Sequence, residues 1–230
     1  LAFVVWFSQG SYHSVNKVCQ FMSDPTEKHW AAVKRILRYL AGTISLGLSF
    51  LPSSSGPPFS LHAYCDTDWA SDPDDRRSTS GAAVFFGSNL VFWWSKKQSV
   101  VARSSTEAEY CSLALATIEA IWIKSLLSEL HIPHATPIIC CDNMSTVALA
   151  HNLVMHSHTK HMELDLFFLK EKVIAKHLQV VHVPAVDQRA DILTKAHTLF
   201  NFTTCRAKLR VVEKQSPTPH ELARGGGGGG

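Results

Sequence analysis

Asp66, Asp68, Glu107, Glu109, Asp142 and Asp191 are the acids whose spacing could do chemistry. Asp66 and Asp68 are two apart in a run, Leu61–Asp68, that reads as a strand, so they share one face. Asp142 follows the apolar run Ile138–Cys141, at the carboxyl end of a buried strand. In open α/β sheets that edge is where ligands bind. Glu107 and Glu109 open a long helix, and Asp191 falls in the first turn of a final one. One such acid is ordinarily a cap or turn residue. Acids on four separate elements form a cluster, and clustered carboxylates repel unless they are protonated or share cations. Oxygen donors favour Mg²⁺ or Mn²⁺ over zinc. Two such ions about 4 Å apart activate a water and stabilise a leaving oxygen in phosphodiester cleavage.

Glu107 and Glu109 cannot both face the cluster, because two residues along a helix turn the side chain by about 200°. Ser104-Ser105-Thr106-Glu107 fits a capping box with Ser104 as N-cap, which gives Glu107 a structural task. Glu109 lies in line with Leu113, Ala116 and Ala120, a face suited to packing, and is the ligand expected. A rival box, with Thr106 as N-cap and Glu109 at N3, remains open.

The elements that would position these acids follow from periodicity and punctuation. Asp24-Pro25-Thr26-Glu27 predicts a helix start with Asp24 as N-cap, followed by Trp30, Val33, Leu37 and Leu40 at helical spacing and a stop at Gly42. Pro52 to Pro58 reads as a linker. Leu61–Asp68, Ser78–Phe86 and Leu90–Ser95 predict an antiparallel meander, the last two joined across Gly87-Ser88-Asn89. Ser104–Leu130 predicts a long helix with an apolar stripe of Cys111, Leu115, Ile118, Trp122 and Leu126. Ile138–Cys141 is a central strand, Asn143–Ala150 and about Thr159–Lys172 are helices, Leu178–Val183 is a fifth strand, and Asp187–Lys195 is a last helix. That order implies an α/β fold: a mixed five-stranded sheet with helices packed on it. Three regions are expected: a helical segment with linker at 1–58, the α/β domain at 59–197, and a basic stretch at 198–230 whose proline- and glycine-rich end predicts disorder.

The chain has 230 residues, 46% hydrophobic and 18% charged, enough for a core and unlike a disordered polyelectrolyte. No run of about 18 uncharged apolar residues is present, so no membrane span is predicted. The chain opens on Leu1 rather than Met, which reads as a piece of a longer product. The net charge of +3 hides a partition into +3 over 1–58, −3 over 59–197 and +3 over 198–230. Basic ends suggest a polyanion partner, and an acidic centre in such a protein suits carboxylates that hold divalent metal. Lys34, Arg35 and Arg38 on the first helix are candidates for phosphate contact, with a solvated face as the plain alternative. Six cysteines without a C-x-x-C pair predict reduced thiols and an intracellular setting.

Several motifs occur in an order that resembles the copia-type retrotransposon Pol polyproteins. They are Tyr64-Cys65-Asp66-Thr67-Asp68-Trp69-Ala70, Arg77-Ser78-Thr79-Ser80-Gly81, Ser95-Lys96-Lys97-Gln98 and Ser104-Ser105-Thr106-Glu107-Ala108-Glu109-Tyr110. Cys141-Asp142-Asn143, His158-Thr159-Lys160-His161 and Ala190-Asp191-Ile192-Leu193-Thr194-Lys195 continue the series. Together they look like that polyprotein's ribonuclease H domain. Upstream, Gln20-Phe21-Met22, His29-Trp30 and Lys34 to Thr43 resemble the end of the reverse transcriptase before it. The resemblance implies a ribonuclease H-like fold that cuts the RNA strand of an RNA–DNA hybrid with two Mg²⁺ or Mn²⁺ ions. It carries the four metal-binding acids onto Asp66, Glu109, Asp142 and Asp191, with Asp68 a near neighbour. It implies the reverse transcriptase portion of the same polyprotein as partner, and a cytoplasmic virus-like particle or the nucleus as location. Lys96, Lys97, Gln98 and Arg103 are then candidates for contact with the duplex backbone, with exposed strand-end residues as the alternative.

The pattern is thin in places. Many ribonucleases H carry a histidine in the loop before the last helix, and Val183-Pro184-Ala185-Val186-Asp187 has none. His156, His158 and His161 lack nearby partners at metal spacing for a zinc site, and His158 or His161 is an accessory candidate at the scissile phosphate. No paired aspartates suited to polymerisation occur in residues 1–58. A chain that keeps the fold and holds hybrid without cutting it is the competing reading.

Overall fold

The computed structural model describes residues 15, 18–19, 21–52, 56, 58–152 and 163–213. In chain order the first elements are α1 (Glu27–Gly42), β1 (Leu46–Leu48), β2 (Leu61–Asp68), β3 (Thr79–Phe86), β4 (Asn89–Lys97) and α2 (Ser105–Glu129). Then come β5 (Ile138–Cys141), α3 (Met144–His151), α4 (Glu163–Ile174), β6 (Gln179–His182), α5 (Leu199–Lys208) and β7 (Val211–Glu213). The chain divides into two units, one of residues up to Leu48 with those from Val211, the other Ser49–Arg210.

The larger unit is an α/β domain around a five-stranded sheet in the order β4-β3-β2-β5-β6. β4, β3 and β2 are mutually antiparallel, while β5 runs parallel to β2 and β6 parallel to β5. This is the mixed five-stranded sheet, three antiparallel strands followed by parallel ones, that the order of elements in the sequence implies. β2 lies at its centre because its inward residues, Leu61, Ala63 and Cys65, are buried against α2 on one side of the sheet. The meander turns over Gly87, whose φ of +59° a side chain would resist.

α2 is long and apolar enough, by length and composition alone, to cross a membrane. Its apolar content is spent on the sheet: Ala108, Leu113, Ala116 and Ala120 are fully buried. The stripe read from the sequence points the other way, with Leu115, Ile118, Trp122 and Leu126 exposed. Small residues sit inward because helix and sheet approach closely, so bulk is not the guide to the buried face here.

The smaller unit holds α1 and an antiparallel pair, β1 with β7. α1 starts differently from the sequence reading. Thr26 is the N-cap, not Asp24, and the Thr26 backbone N–H donates to His29 Nδ1 at 3.1 Å. The His29 ring stacks on Phe21 at 4.2 Å, which fixes it in that capping position. No α1 residue is fully buried, and Trp30 and Leu37 of the expected stripe are exposed. At the other end of the linker, Leu51 exchanges two 2.8 Å hydrogen bonds with the Asn89 side chain, so the Pro52–Pro58 linker begins within the larger unit.

The expected last helix, Asp187–Lys195, does not form. Two short 3₁₀ turns, Ala185–Asp187 and Asp191–Leu193, take its place, and the helix of this region is α5 further on. The cause is packing against β3. A Cβ on Gly81 would lie 2.8 Å from Leu193 Cβ and 2.9 Å from Thr194 Cγ2, so the segment sits directly on the sheet. The buried Gln188 side chain closes the approach: its Nε2 donates to the Cys65 carbonyl at 2.8 Å and its Oε1 accepts from the Ala190 N–H at 3.1 Å. A tight turn held from inside replaces the continuous helical ladder.

Candidate active site

Ser104 caps α2, its Oγ accepting from the Glu107 N–H at 3.2 Å, while Glu107 Oε2 accepts from the Arg103 N–H at 2.9 Å. Glu107 is therefore occupied at the helix end, and Glu109 turns toward the sheet. Glu109 is 7% exposed. Its Oε1 accepts from the Thr67 N–H at 3.1 Å, and its Oε2 is buried with no hydrogen-bond partner.

Glu109, Cys141 and Asp142 bring ligand atoms within 4.8 Å of one another. Burial pushes the Glu109 carboxyl up to about 10, helped by the charges of Asp66, Cys141 and Asp142. Burial also raises Asp142, again with Asp66 adding to it and Lys195 opposing. The three acids thus feel one another's charge. Asp66 is fully buried near the carboxyl end of β2, with Ser112 Oγ donating to its carbonyl at 3.0 Å.

Asp191 reaches the same place from the 3₁₀ turn. Lys195 Nζ donates to Asp66 Oδ1 at 3.0 Å and to Asp191 Oδ1 at 2.7 Å. Thr194 Oγ1 donates to Asp66 Oδ2. Burial works against the charge on Lys195, but Asp66 and Asp191 outweigh it and hold its pKa above the ordinary value. The ammonium is the counter-charge of the cluster. An unpaired buried carboxylate oxygen and two carboxylates bridged by a cation are a donor set that fits divalent metal. Asp68, at the exit of β2, is half-buried.

The other residues singled out from sequence have different surroundings. Gln98 is buried, and its Nε2 donates to Ser80 Oγ at 2.8 Å and to the Ala108 carbonyl at 2.9 Å. It ties β3 to α2, so its side chain lies inside the sheet–helix layer rather than on an exposed strand end. Lys97 is paired with Asp72 at 2.7 Å and Asp75 at 2.8 Å. Lys96 and Arg103 are exposed, as are Lys34, Arg35 and Arg38 on α1. In register, Lys96 lies opposite Ser80, which lies opposite Thr67, so it stands on the same sheet edge as Asp66. His156, His158 and His161 lie outside the described residues.

Four participants escaped sequence reading: Gln188, Thr194, Lys195 and His197. His197 Nε2 donates to the Asp191 carbonyl at 3.1 Å and is 3.4 Å from Asp191 Oδ2. The resemblance motif contained Thr194 and Lys195, yet nothing in their spacing marked them as partners of an aspartate 128 or 129 positions away.

No protein-family model matches the chain. It is 47% identical over 202 residues to the retrovirus-related Pol polyprotein from transposon RE2 of Arabidopsis thaliana, covering 87% of this chain and 14% of that one. It is 48% identical over 200 residues to the corresponding polyprotein from transposon RE1 of the same plant, covering 86% and 13%. It is 36% identical over 194 residues to that from transposon TNT 1-94 of Nicotiana tabacum, covering 84% and 14%. The chain therefore spans about one seventh of the length of these relatives. Among solved structures, RNase H1 from Halobacterium salinarum is 16% identical with a TM-score of 0.40, over 59% of this chain and 94% of that one. LC11-RNase H1 in complex with RNA/DNA hybrid is 16% identical with a TM-score of 0.42, over 59% and 94%.

Proposed function

The chain belongs to the retrovirus-related Pol polyproteins of copia-type transposons, and from that premise we propose that its larger unit is a ribonuclease H that hydrolyses the RNA strand of RNA–DNA hybrids. The observation that carries the reading is the convergence of Asp66, Glu109, Asp142 and Asp191 near Lys195, with Glu109 Oε2 buried and unpaired. Asp66, Glu109, Asp142 and Asp191 would hold two Mg²⁺ or Mn²⁺ ions. When bound, such ions lower the pKa of an attacking water and stabilise the leaving 3′ oxygen.

The chain's own residues supply the rest. Asp66 lies near the carboxyl end of β2 and Asp142 directly follows β5, two adjacent parallel strands, so both acids come to the same end of the sheet. The Thr67 N–H holds Glu109 Oε1, leaving Oε2 buried without a hydrogen-bond partner. Lys195 neutralises Asp66 and Asp191 until cations arrive. The exposed Lys96 and Arg103 would contact duplex phosphates, which position the substrate without reading sequence. Lys34, Arg35 and Arg38 on the smaller unit would be separate points of phosphate contact. The partner in the polyprotein would be its reverse transcriptase portion.

The test is incubation of the chain with labelled RNA–DNA hybrid in Mg²⁺, in EDTA, and with Asp142→Asn in Mg²⁺. The expected result is RNA-strand cleavage by the parent in Mg²⁺ alone. Salt-sensitive retention of hybrid with no cleavage would replace this reading with that of a binding module.

A further inference from the structure

We propose that Asp191, His197 and Cys205 form a second metal site, one for zinc or a cation of similar softness, that shares Asp191 with the carboxylate cluster. Each of the three offers one ligand atom, and these atoms lie within 4.8 Å of one another. The donor set is a carboxylate oxygen, an imidazole nitrogen and a sulfur, which is the chemistry zinc prefers and magnesium refuses. Ligands of one tetrahedral zinc sit about 3–4 Å apart, so the trio closes on an ion with small side-chain movement.

The site is local. Asp191 lies on the 3₁₀ turn, His197 just ahead of the Thr198 N-cap, and Cys205 on the buried face of α5. Packing of α5 on the turn places the three side chains on one another. Cys205 is 8% exposed, the His197 side chain 10% and the Asp191 side chain 25%, so an ion has an entry path on the aspartate side. Asp191 divides its two oxygens: Oδ1 faces Lys195, and Oδ2 lies 3.4 Å from His197 Nε2. An ion on Oδ2 therefore need not displace the Lys195 contact.

On binding, the Cys205 S–H bond breaks, the thiolate sulfur bonds the metal, and the proton goes to solvent. His197 gives up its hydrogen bond to the Asp191 carbonyl, its ring proton passes from Nε2 to Nδ1 by exchange with solvent, and the freed Nε2 lone pair binds the metal. The fourth position is left to water. No oxidation or reduction occurs. The site stands independently of the nuclease reading. Its consequence, that an ion on Asp191 Oδ2 adds positive charge beside the magnesium ligands and weakens magnesium binding, rests on that reading.

Cobalt(II) reports the site directly, because a thiolate ligand adds a near-ultraviolet charge-transfer band that oxygen ligands lack. The whole chain, carrying Cys19→Ser to remove an exposed thiol, is titrated with Co²⁺ in excess Mg²⁺. The expected result is one thiolate band saturating at one equivalent, bleached by Zn²⁺ and lost in Cys205→Ala. Cobalt X-ray absorption on the parent, which does not depend on a variant folding, should count one sulfur and one imidazole per ion. A band that survives Cys205→Ala, or an absorption spectrum with no sulfur, overturns the proposal. Neither result bears on cleavage in Mg²⁺, so the two readings fail separately.

Discussion

Lys195 Nζ sits 3.0 Å from Asp66 Oδ1, and the Asp66 side chain is 1% exposed. The only cation touching this buried carboxylate among the described residues is thus one of the chain's own, placed against an oxygen proposed to bind metal. Ammonium and divalent ion compete for that oxygen. Lys195→Met should tighten Mn²⁺ binding by roughly tenfold, at the modest end because Lys195 is partly exposed and screened. The same variant should be less stable than the parent in EDTA, since Asp66 and Asp191 lose their counter-charge. Calorimetric titration with Mn²⁺ measures the first effect, and unchanged or weaker binding would show that the lysine does not compete.

Glu109 links metal uptake to pH. Its carboxyl, raised to about 10 by burial first and neighbouring charges second, carries a proton at neutral pH when no metal is bound. Metal must expel that proton, so affinity should strengthen with pH by up to about tenfold per unit below 10. Stability without metal runs the other way. The folded carboxyl holds its proton above the pH at which the unfolded one releases it. Its contribution is therefore full below the ordinary carboxylate range and falls as pH rises toward 10. Denaturant midpoints in EDTA from pH 5 to 9 should decline for the parent, as checked on a ~5–9 series. Glu109→Gln, which has no proton to lose, should flatten that decline.

Gly81 is the seat of the Asp191 segment. A Cβ there meets Leu193 Cβ at 2.8 Å and Thr194 Cγ2 at 2.9 Å, both close to the turn rather than at the ends of flexible chains. Gly81→Ala should cost about 1–3 kcal/mol of stability and push Asp191 and Lys195 away from Asp66. Metal affinity should fall more than the stability loss alone would explain. Urea unfolding and Mn²⁺ titration of the same sample separate the two.

Gln188 holds the same segment from within. Replacing it by Leu strands the Cys65 carbonyl and the Ala190 N–H, at about 1–3 kcal/mol for each buried group left unpaired. Hydrogen exchange should show earlier opening of residues 188–195 in Gln188→Leu, and equal protection in both proteins would remove the role assigned to Gln188.

Much of this was legible in the sequence because it is local. The alternation in Leu61–Asp68 and the apolar run Ile138–Cys141 specify strands with those bounds, and Ser104 specifies the start of α2. The choice of Glu109 over Glu107 followed from helix rotation and the cap, and Glu109 is the one turned toward the sheet. What stayed hidden depends on contacts distant in sequence. The 3₁₀ turns at 185–193 exist because the segment lies on Gly81, over a hundred positions earlier. Gln98 looked like a strand-end surface residue beside two lysines, yet just past β4 its backbone still pairs with Ser78 and its side chain turns inward to Ser80 and Ala108. The exposed stripe of α2 shows the same limit: hydrophobicity marked a face, but only the close approach of helix and sheet decided which face is buried.

The central claim is that Asp66, Glu109, Asp142 and Asp191 jointly hold divalent ions. Anomalous scattering from crystals of the chain soaked in Mn²⁺ tests it most directly. The account predicts manganese peaks ligated by all four carboxylates, with Lys195 Nζ withdrawn from Asp66. A soaked crystal with Lys195 still on Asp66 and no manganese among the four acids would contradict it.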